Sequence, residues 1–113
     1  MLSVEAVVRA HMDAVERGDP VAMAADYADD AVLIRPGMTL VGFTAIESYI
    51  EGITARIGGG TVRFLTFDIH DEHISFRWII EGGPGDGTSG IDEVTVRDGK
   101  IVRQVVRLDA GDF

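Results

Sequence analysis

The second half of the chain consists of four runs in which apolar and polar residues alternate with a period of two. These runs cover residues 61–70, 73–81, 88–97 and 100–109, and turn-forming residues separate them, including Asp98-Gly99 before the last run. Such alternation is typical of strands with one buried face, and Asp-Gly between two runs is a strong hairpin signal. Because the connections are short, neighbouring strands must be antiparallel. The sequence therefore predicts a four-stranded meander.

The first half predicts three helices and two short strands. The first helix is expected to begin after Ser3 and to end at Gly18. The second begins at Asp19-Pro20 and runs to about Tyr27. The third begins at a capping box formed by Thr44 and Glu47 and ends at Gly58. The short strands are expected near residues 31–34 and 39–41. The 113 residues are the size of a single domain, 1–113. The predicted fold class is α+β, with helices covering one face of a curved sheet.

Composition excludes several classes of function. The formal net charge of -9 opposes binding to nucleic acids and to anionic membranes. Without cysteine there can be no disulfide and no thiolate chemistry. No apolar run approaches the roughly 20 residues of a membrane helix, and the first residues lack the pattern of a signal peptide, so a cytoplasmic location is expected. The string His70-Asp71-Glu72-His73 lacks metal-ligand spacing, and we expect neither a metal nor a cofactor.

Asp92 is the strongest candidate for a catalytic residue. By alternation it shares a strand face with Val94 and Val96, and on the next strand with Val102, Gln104, Val106 and Leu108, all expected to face inward. If that face lines a pocket, desolvation raises the pKa of the carboxyl, which can then donate a proton or a hydrogen bond near neutral pH. The alternative is a strand-end aspartate that pairs with an arginine or accepts backbone hydrogen bonds. The pattern alone leaves both open.

Two further residues are candidates for the same pocket. His11 lies on or beside the apolar face of the first helix, where it is either a hydrogen-bonded boundary residue or a proton carrier. Arg35 follows the first short strand, and it either binds an anionic group, pairs with Asp92 or reaches water at the rim.

The segments "ERGDPVAMAADYADDAVLIRPG", "LVGFTAIESYI" and "DEVTVRDGKIVRQVVRLD" resemble the nuclear transport factor 2-like superfamily, which includes ketosteroid isomerases, SnoaL-like polyketide cyclases and limonene epoxide hydrolases. The resemblance runs from about residue 3 to 109. It implies a cone, in which a bent, mainly antiparallel sheet with a mixed edge wraps around three N-terminal helices and a pocket opens between them.

The resemblance also implies roles for single residues. Ile91-Asp92 matches the pair that holds the proton-donating aspartic acid of ketosteroid isomerases, and His11 falls where their donor tyrosine lies. Arg35 stands where those enzymes have their general base, and a guanidinium cannot accept a proton at ordinary pH. In the epoxide hydrolases an Asp-Arg-Asp set activates water. Here only Arg77 and Asp92 could imitate it, and alternation turns Arg77 away from the pocket.

These observations predict a small cofactor-independent enzyme that performs acid–base chemistry on a small, mostly apolar oxygenated molecule. Asp92 and His11 are the expected catalytic residues. The expected substrate-binding residues are Arg35, Tyr27, Phe64, Trp78, Val94, Gln104 and Val106. One alternative is a module of the same fold that binds a ligand or a partner without turnover, and another is an epoxide hydrolase.

A homodimer is expected through the sheet face away from the helices, where Ile79, Ile91 and Val105 lie among arginines that could pair with Glu81 or Glu93.

Overall fold

The computed structural model describes residues 3–110, which form three helices and six strands. In chain order these elements are α1 (Val4–Arg17), α2 (Pro20–Ala25), β1 (Tyr27–Arg35), β2 (Met38–Val41), α3 (Phe43–Ile57), β3 (Thr61–His70), β4 (His73–Glu81), β5 (Ser89–Arg97) and β6 (Lys100–Ala110). The six strands form one sheet in the order β2-β1-β6-β5-β4-β3. The sheet is curved and mixed, because β1 runs parallel to β6 whereas all other neighbours are antiparallel. The predicted meander and the α+β class are confirmed.

The first two helices begin and end as their sequence predicts, apart from the end of α2. The Ser3 side chain accepts a hydrogen bond from the Ala6 amide, and Gly18 ends α1 in the left-handed conformation, with φ of 66°. Asp19 caps α2, but α2 stops at Ala25, earlier than predicted. The reason is the sheet: the Ile101 amide donates to the Asp26 carbonyl at 2.8 Å, which draws the chain into β1 immediately after the helix.

The predicted capping box of the third helix is wrong. Helix α3 begins at Phe43, with Gly42 as its N-cap and no side-chain capping hydrogen bond. Gly42 has φ of 93°, and its amide donates to the Ala31 carbonyl at 2.8 Å. Strand pairing therefore fixes the start of α3 one residue before Thr44, and a glycine is needed there for the positive φ.

Helices α1 and α3 pack on one face of the sheet, α2 packs against both of these helices, and together they enclose the core. Most inward positions of the sheet follow the predicted alternation, and Phe76, Trp78 and Val94 are buried. The prediction that Val102 is buried like them is wrong, because a register shift interrupts the pairing of β5 with β6 between Thr95 and Val96. This irregularity leaves Val102 half-buried and makes Ile101 the buried residue, at 1% exposure.

The opposite face of the sheet is a mixture of charged and apolar side chains. Ile79, Ile91 and Val105 are half-buried there, and Arg107 pairs with Glu93 at 3.6 Å within the chain. Within residues 3–110, none of the helices has the length and apolar character needed to cross a lipid bilayer.

Candidate active site

A cavity of about 110 Å³ lies between the helices and the inner face of the sheet. Its wall is mainly aliphatic and aromatic, and the polar groups come from His11, Tyr27, Tyr49, Trp78, Asp92 and Gln104. A cavity of ~150 Å³ in another protein holds benzene, so this one has room for roughly one small ring. An apolar cavity with a few converging polar groups is the usual form of a small-molecule site.

Asp92 borders this cavity from the middle of β5. It is 8% exposed and lies between Phe76 of β4 and Val106 of β6 in the sheet register. The Trp78 indole N–H donates to its Oδ1 at 2.9 Å, and the Gln104 amide donates to its Oδ2 at 2.7 Å. Asp92 is therefore a buried carboxyl held in one orientation by two neutral donors.

Burial raises the pKa of Asp92 to about 6, because desolvation disfavours the charged form. The hydrogen bonds from Trp78 and Gln104 and the charge of a protonated His11 act in the opposite direction but do not cancel the effect of burial. An acid with this pKa is present in both protonation states close to neutral pH. It can donate a proton to a substrate oxygen and recover one from solvent.

Tyr27 extends the network around Asp92. Its hydroxyl donates to Oε1 of Gln104, which directs the amide N–H of Gln104 toward Asp92. Burial, and secondly the charge of Asp92, raise the pKa of Tyr27 well above its ordinary value, so the phenol stays neutral. Gln104 therefore has a fixed amide orientation, with its carbonyl toward Tyr27 and its donor toward the acid.

His11 enters the cavity from α1 with its orientation set by Asp26. Its Nδ1 lies 3.0 Å from Asp26 Oδ2, and because an ionised carboxylate only accepts hydrogen bonds, Nδ1 carries the hydrogen. Within residues 3–110 the ring makes no other hydrogen bond, so Nε2 has no partner there. In the same range no fully buried side-chain nitrogen lacks a partner, which means that Nε2 is not fully buried. Nε2 is therefore accessible from the cavity that His11 lines, where it can accept a proton.

Asp26 is the functional candidate that the sequence did not reveal. It stands in a segment with Asp29 and Asp30 that resembles an ordinary acidic surface. Its contact with His11 spans 15 residues and depends on how α2 packs beside α1. No local pattern in the sequence indicates this pairing.

Arg35 lies beside Tyr49 of α3. Its Nη1 donates to the Tyr49 hydroxyl at 3.4 Å, and its guanidinium carbon lies 6.0 Å from the centre of that ring. The pKa of Asp92 is lowered by Trp78, Gln104 and His11 and not by Arg35. Tyr49 lines the cavity, although the predicted set of site residues did not include it.

Most of the predicted site residues meet at the cavity. Seven of them line it, namely His11, Tyr27, Phe64, Trp78, Asp92, Gln104 and Val106. Val94 is buried in the core at 2% exposure and is not among the lining residues. Arg77 is exposed and pairs with Asp109 at 2.6 Å, so it cannot join Asp92 in an epoxide-hydrolase arrangement. Within the described part of the chain, no three His, Asp or Glu side chains are grouped as metal ligands.

Gly90 allows Trp78 to reach Asp92, and we expect Gly90→Ala to destabilise the protein by about 1–3 kcal/mol through overpacking. A Cβ at Gly90 would lie 2.3 Å from the Arg107 carbonyl oxygen and 2.9 Å from Cζ2 of Trp78. Gly52→Ala is the matched control, because a Cβ in the middle of α3 meets no atom within 4 Å and improves helix propensity. In urea unfolding, the free energy of unfolding should fall for Gly90→Ala and rise for Gly52→Ala. Equal changes in the two variants would contradict this packing.

Comparison with known proteins places the chain in a family. The SnoaL-like domain family matches residues 8–104. No curated protein matches the chain. Among solved structures, an NTF2-like protein of unknown function from Mesorhizobium loti superimposes with a TM-score of 0.84 at 19% identity, covering 95% of this chain and 91% of that one.

Two other similar structures have names that suggest an activity. A proposed polyketide cyclase from Sinorhizobium meliloti has a TM-score of 0.77 at 22% identity, with 89% of this chain and 93% of that one covered. A proposed isomerase of the SnoaL-like family from Agrobacterium tumefaciens has a TM-score of 0.76 at 22% identity, with 92% and 95% covered. At these identities the structures show the shared fold. The family match shows that the chain belongs to the SnoaL-like family, and the similar structures show that it has the nuclear transport factor 2-like fold.

Proposed function

We propose that this protein is a cofactor-independent enzyme that moves protons on a small oxygenated molecule, as an isomerase or cyclase does. The observation that carries the proposal is that one apolar cavity contains both an acid with a pKa of about 6 and a histidine held by a carboxylate. A weak acid and a base that face the same small volume can act on two atoms of one substrate. The names of the similar cyclase and isomerase agree with this class of reaction.

The proposed substrate is a β,γ-unsaturated ketone whose carbonyl oxygen lies near Asp92. Nε2 of His11 removes a proton from the carbon next to the carbonyl, and the C–H electron pair forms a carbon–carbon double bond. The carbonyl oxygen becomes an enol oxygen as Asp92 donates its hydrogen bond or proton. The protonated His11, stabilised by Asp26, then returns the proton to the γ carbon of this dienol. The carbonyl re-forms, the remaining double bond becomes conjugated with it, and Asp92 regains its own proton. The sum is an isomerisation without net loss of atoms or electrons.

The proposed function can be tested with 3-cyclohexen-1-one, a single-ring ketone that matches the size of the cavity. Isomerisation to the conjugated enone is followed by ultraviolet absorbance, and deuterium uptake from D₂O next to the carbonyl is followed by NMR. The wild-type protein should accelerate both processes, and Asp92→Asn and His11→Gln should each reduce the acceleration. Equal rates for the wild-type protein and both variants would contradict the proposal.

Ligand binding without turnover is a second candidate function, because both oxygens of Asp92 already accept hydrogen bonds from the protein. A carboxyl in such a network can serve a purely structural purpose. In this case 2-cyclohexen-1-one would raise the melting temperature of the protein, while the protein would neither isomerise the 3-enone nor catalyse deuterium exchange.

The outer face of the sheet supports a homodimer as a further proposal. Ile79, Ile91 and Val105 are half-buried there and would become covered in a face-to-face pair. We expect light scattering at micromolar concentration to give twice the mass of one chain, and Ile91→Glu to give the mass of one. A single-chain mass for the wild-type protein would contradict this expectation.

A further inference from the structure

The wall of the cavity changes from polar to apolar along the strands. Asp92 lies opposite Phe76 of β4 in the sheet register. Ile80 lines the cavity four residues further along β4, which is about 13 Å away at roughly 3.3 Å per residue. On the way, Trp78 directs its indole N–H back to Asp92, and Leu108 of β6 contributes an aliphatic side chain. The strand positions beyond Asp92 therefore offer apolar surface to a bound molecule.

Helix α3 follows the cavity over a similar length. Its lining residues run from Tyr49 to Ile57, which is about 12 Å of helix at 1.5 Å per residue. The Gly60 amide donates to the Ile57 carbonyl at 2.9 Å, just before β3 begins. A Cβ at Gly83, which follows β4, would lie 2.5 Å from the same carbonyl oxygen. Ile57 therefore lies beside the end of β4, at the same end of the cavity as Ile80.

The polar network is buried, whereas the apolar end of the cavity reaches the surface. The buried polar residues of the wall are His11, Tyr27, Asp92 and Gln104. Four apolar lining residues toward the other end are half-buried, namely Ile53, Ile57, Phe64 and Leu108. A molecule that enters from this side meets the apolar wall first and Asp92 last. Its oxygen must then be at the leading end, with the apolar part behind it.

We propose that the molecule held in this cavity is an uncharged ketone at one end of a narrow, unbranched apolar chain, with the carbonyl oxygen at Asp92 and the chain along Ile53, Ile57 and Leu108. This inference rests on the proposed function and adds the shape of the substrate. For turnover, the β,γ double bond lies within this chain.

The dimensions and the charges of the wall both favour such a chain. A volume of about 110 Å³ holds roughly the atoms of one small ring, yet the wall extends over about 12 Å, and only a narrow molecule uses that length. Apart from His11 and Asp92, no lining residue carries a charge near neutral pH. An ionic group on the chain would therefore be desolvated without a partner.

The first test compares 2-nonanone with 5-nonanone, which have the same atoms, by NMR titration of the wild-type protein. An extended chain advances about 1.2 Å per bond, so the oxygen and the heptyl chain of 2-nonanone span roughly 10 Å. In 5-nonanone a butyl group lies on each side of the carbonyl, and one of them would have to enter the buried polar end. 2-Nonanone should bind about fivefold or more tightly, the scale of one hydrogen bond.

The second test uses the series from 2-pentanone to 2-nonanone. Each added methylene should strengthen binding to the wild-type protein about two- to fourfold, because it becomes buried against apolar side chains. Ile57→Asp should abolish the gain from the last two methylenes, because it places a charge where the end of the chain lies. Ile57→Trp obstructs the same end by bulk and should have the same effect, so the test does not depend on whether the Asp variant folds.

Ala55→Asp is the matched control, because Ala55 is exposed on the same helix and does not line the cavity. It should retain the gain for every methylene. Equal binding of the two nonanones, a gain in both Ile57 variants that equals the wild-type gain, or an equal loss of the gain in Ala55→Asp would each overturn the inference. The tests do not require turnover: inactivity toward 3-cyclohexen-1-one with this binding pattern intact would end the acid–base proposal alone, and the reverse result would end only this inference.

Discussion

Asp92→Asn is expected to leave the protein folded and to reduce turnover by about 10²-fold or more, the usual scale for one positioned acid. The asparagine oxygen can keep the hydrogen bond from Trp78. Gln104 can turn its amide, so that its oxygen accepts from the new amide and its N–H₂ faces Tyr27. The variant therefore keeps the shape of the network but has no proton to donate.

The same variant should change how stability depends on pH. The folded-state pKa of Asp92, about 6, lies above its ordinary value of 3.8. Between these values the native protein binds more protons than the unfolded chain, so the free energy of unfolding falls as the pH rises. This loss amounts to about 3 kcal/mol for a shift of roughly two pH units. It should be absent from Asp92→Asn, which should be at least as stable as the wild-type protein at pH 8.

Urea unfolding from pH 3.5 to pH 8 measures this difference directly. Glu93→Gln is the control, because Glu93 is the next residue on β5 but its side chain is 51% exposed on the outer face. It should retain both the turnover and the pH dependence of the wild-type protein. A pH dependence of Asp92→Asn that equals that of the wild-type protein would show that Asp92 is not desolvated in the native state.

His11→Gln should lose about 10²–10⁴-fold in turnover, because glutamine has a similar reach but cannot take up a proton. Asp26→Asn should cause a smaller loss, since the imidazole remains but the carboxylate that fixes Nδ1–H and stabilises the imidazolium is gone. In deuterium exchange from D₂O, both variants should be slow while their melting curves remain cooperative.

His73→Gln is the control for this prediction. His73 is exposed at the start of β4, and its Nδ1 lies 3.2 Å from the Thr95 hydroxyl, away from the residues that line the cavity. The rate at which this variant catalyses deuterium uptake by the substrate should equal that of the wild-type protein. If His11→Gln catalysed deuterium uptake by the substrate as fast as His73→Gln, His11 could not be the base.

The strands of the meander were predictable because the signals that define them are local. The bounds of β3 and β4 agree with the sequence prediction, since alternation and turn residues act within each hairpin. The same reasoning fails at Val102, because alternation cannot show where an irregularity interrupts the pairing of two strands. It also fails at Thr44, where the pairing of Gly42 with Ala31 decides where the helix starts.

The candidate site was predictable to the extent that it lies on regular strands. Asp92, Trp78, Gln104 and Val106 line the cavity because the face of each follows from its position in β4, β5 or β6. Asp26 was not predictable, because its role depends on the packing of two helices. The placement of Arg35 against Tyr49 likewise depends on how α3 lies across β1.

The most direct test of the central claim is the pKa of Asp92 in the ligand-free protein, measured by titration of its side-chain carboxyl carbon with NMR. The central claim is that Asp92 is a desolvated acid that can donate a proton near neutral pH. The account predicts a pKa of about 6, because burial outweighs the hydrogen bonds from Trp78 and Gln104. A pKa of about 4 or below, the range of an ordinary aspartate, would mean that the carboxyl is ionised throughout the physiological range and would contradict the claim.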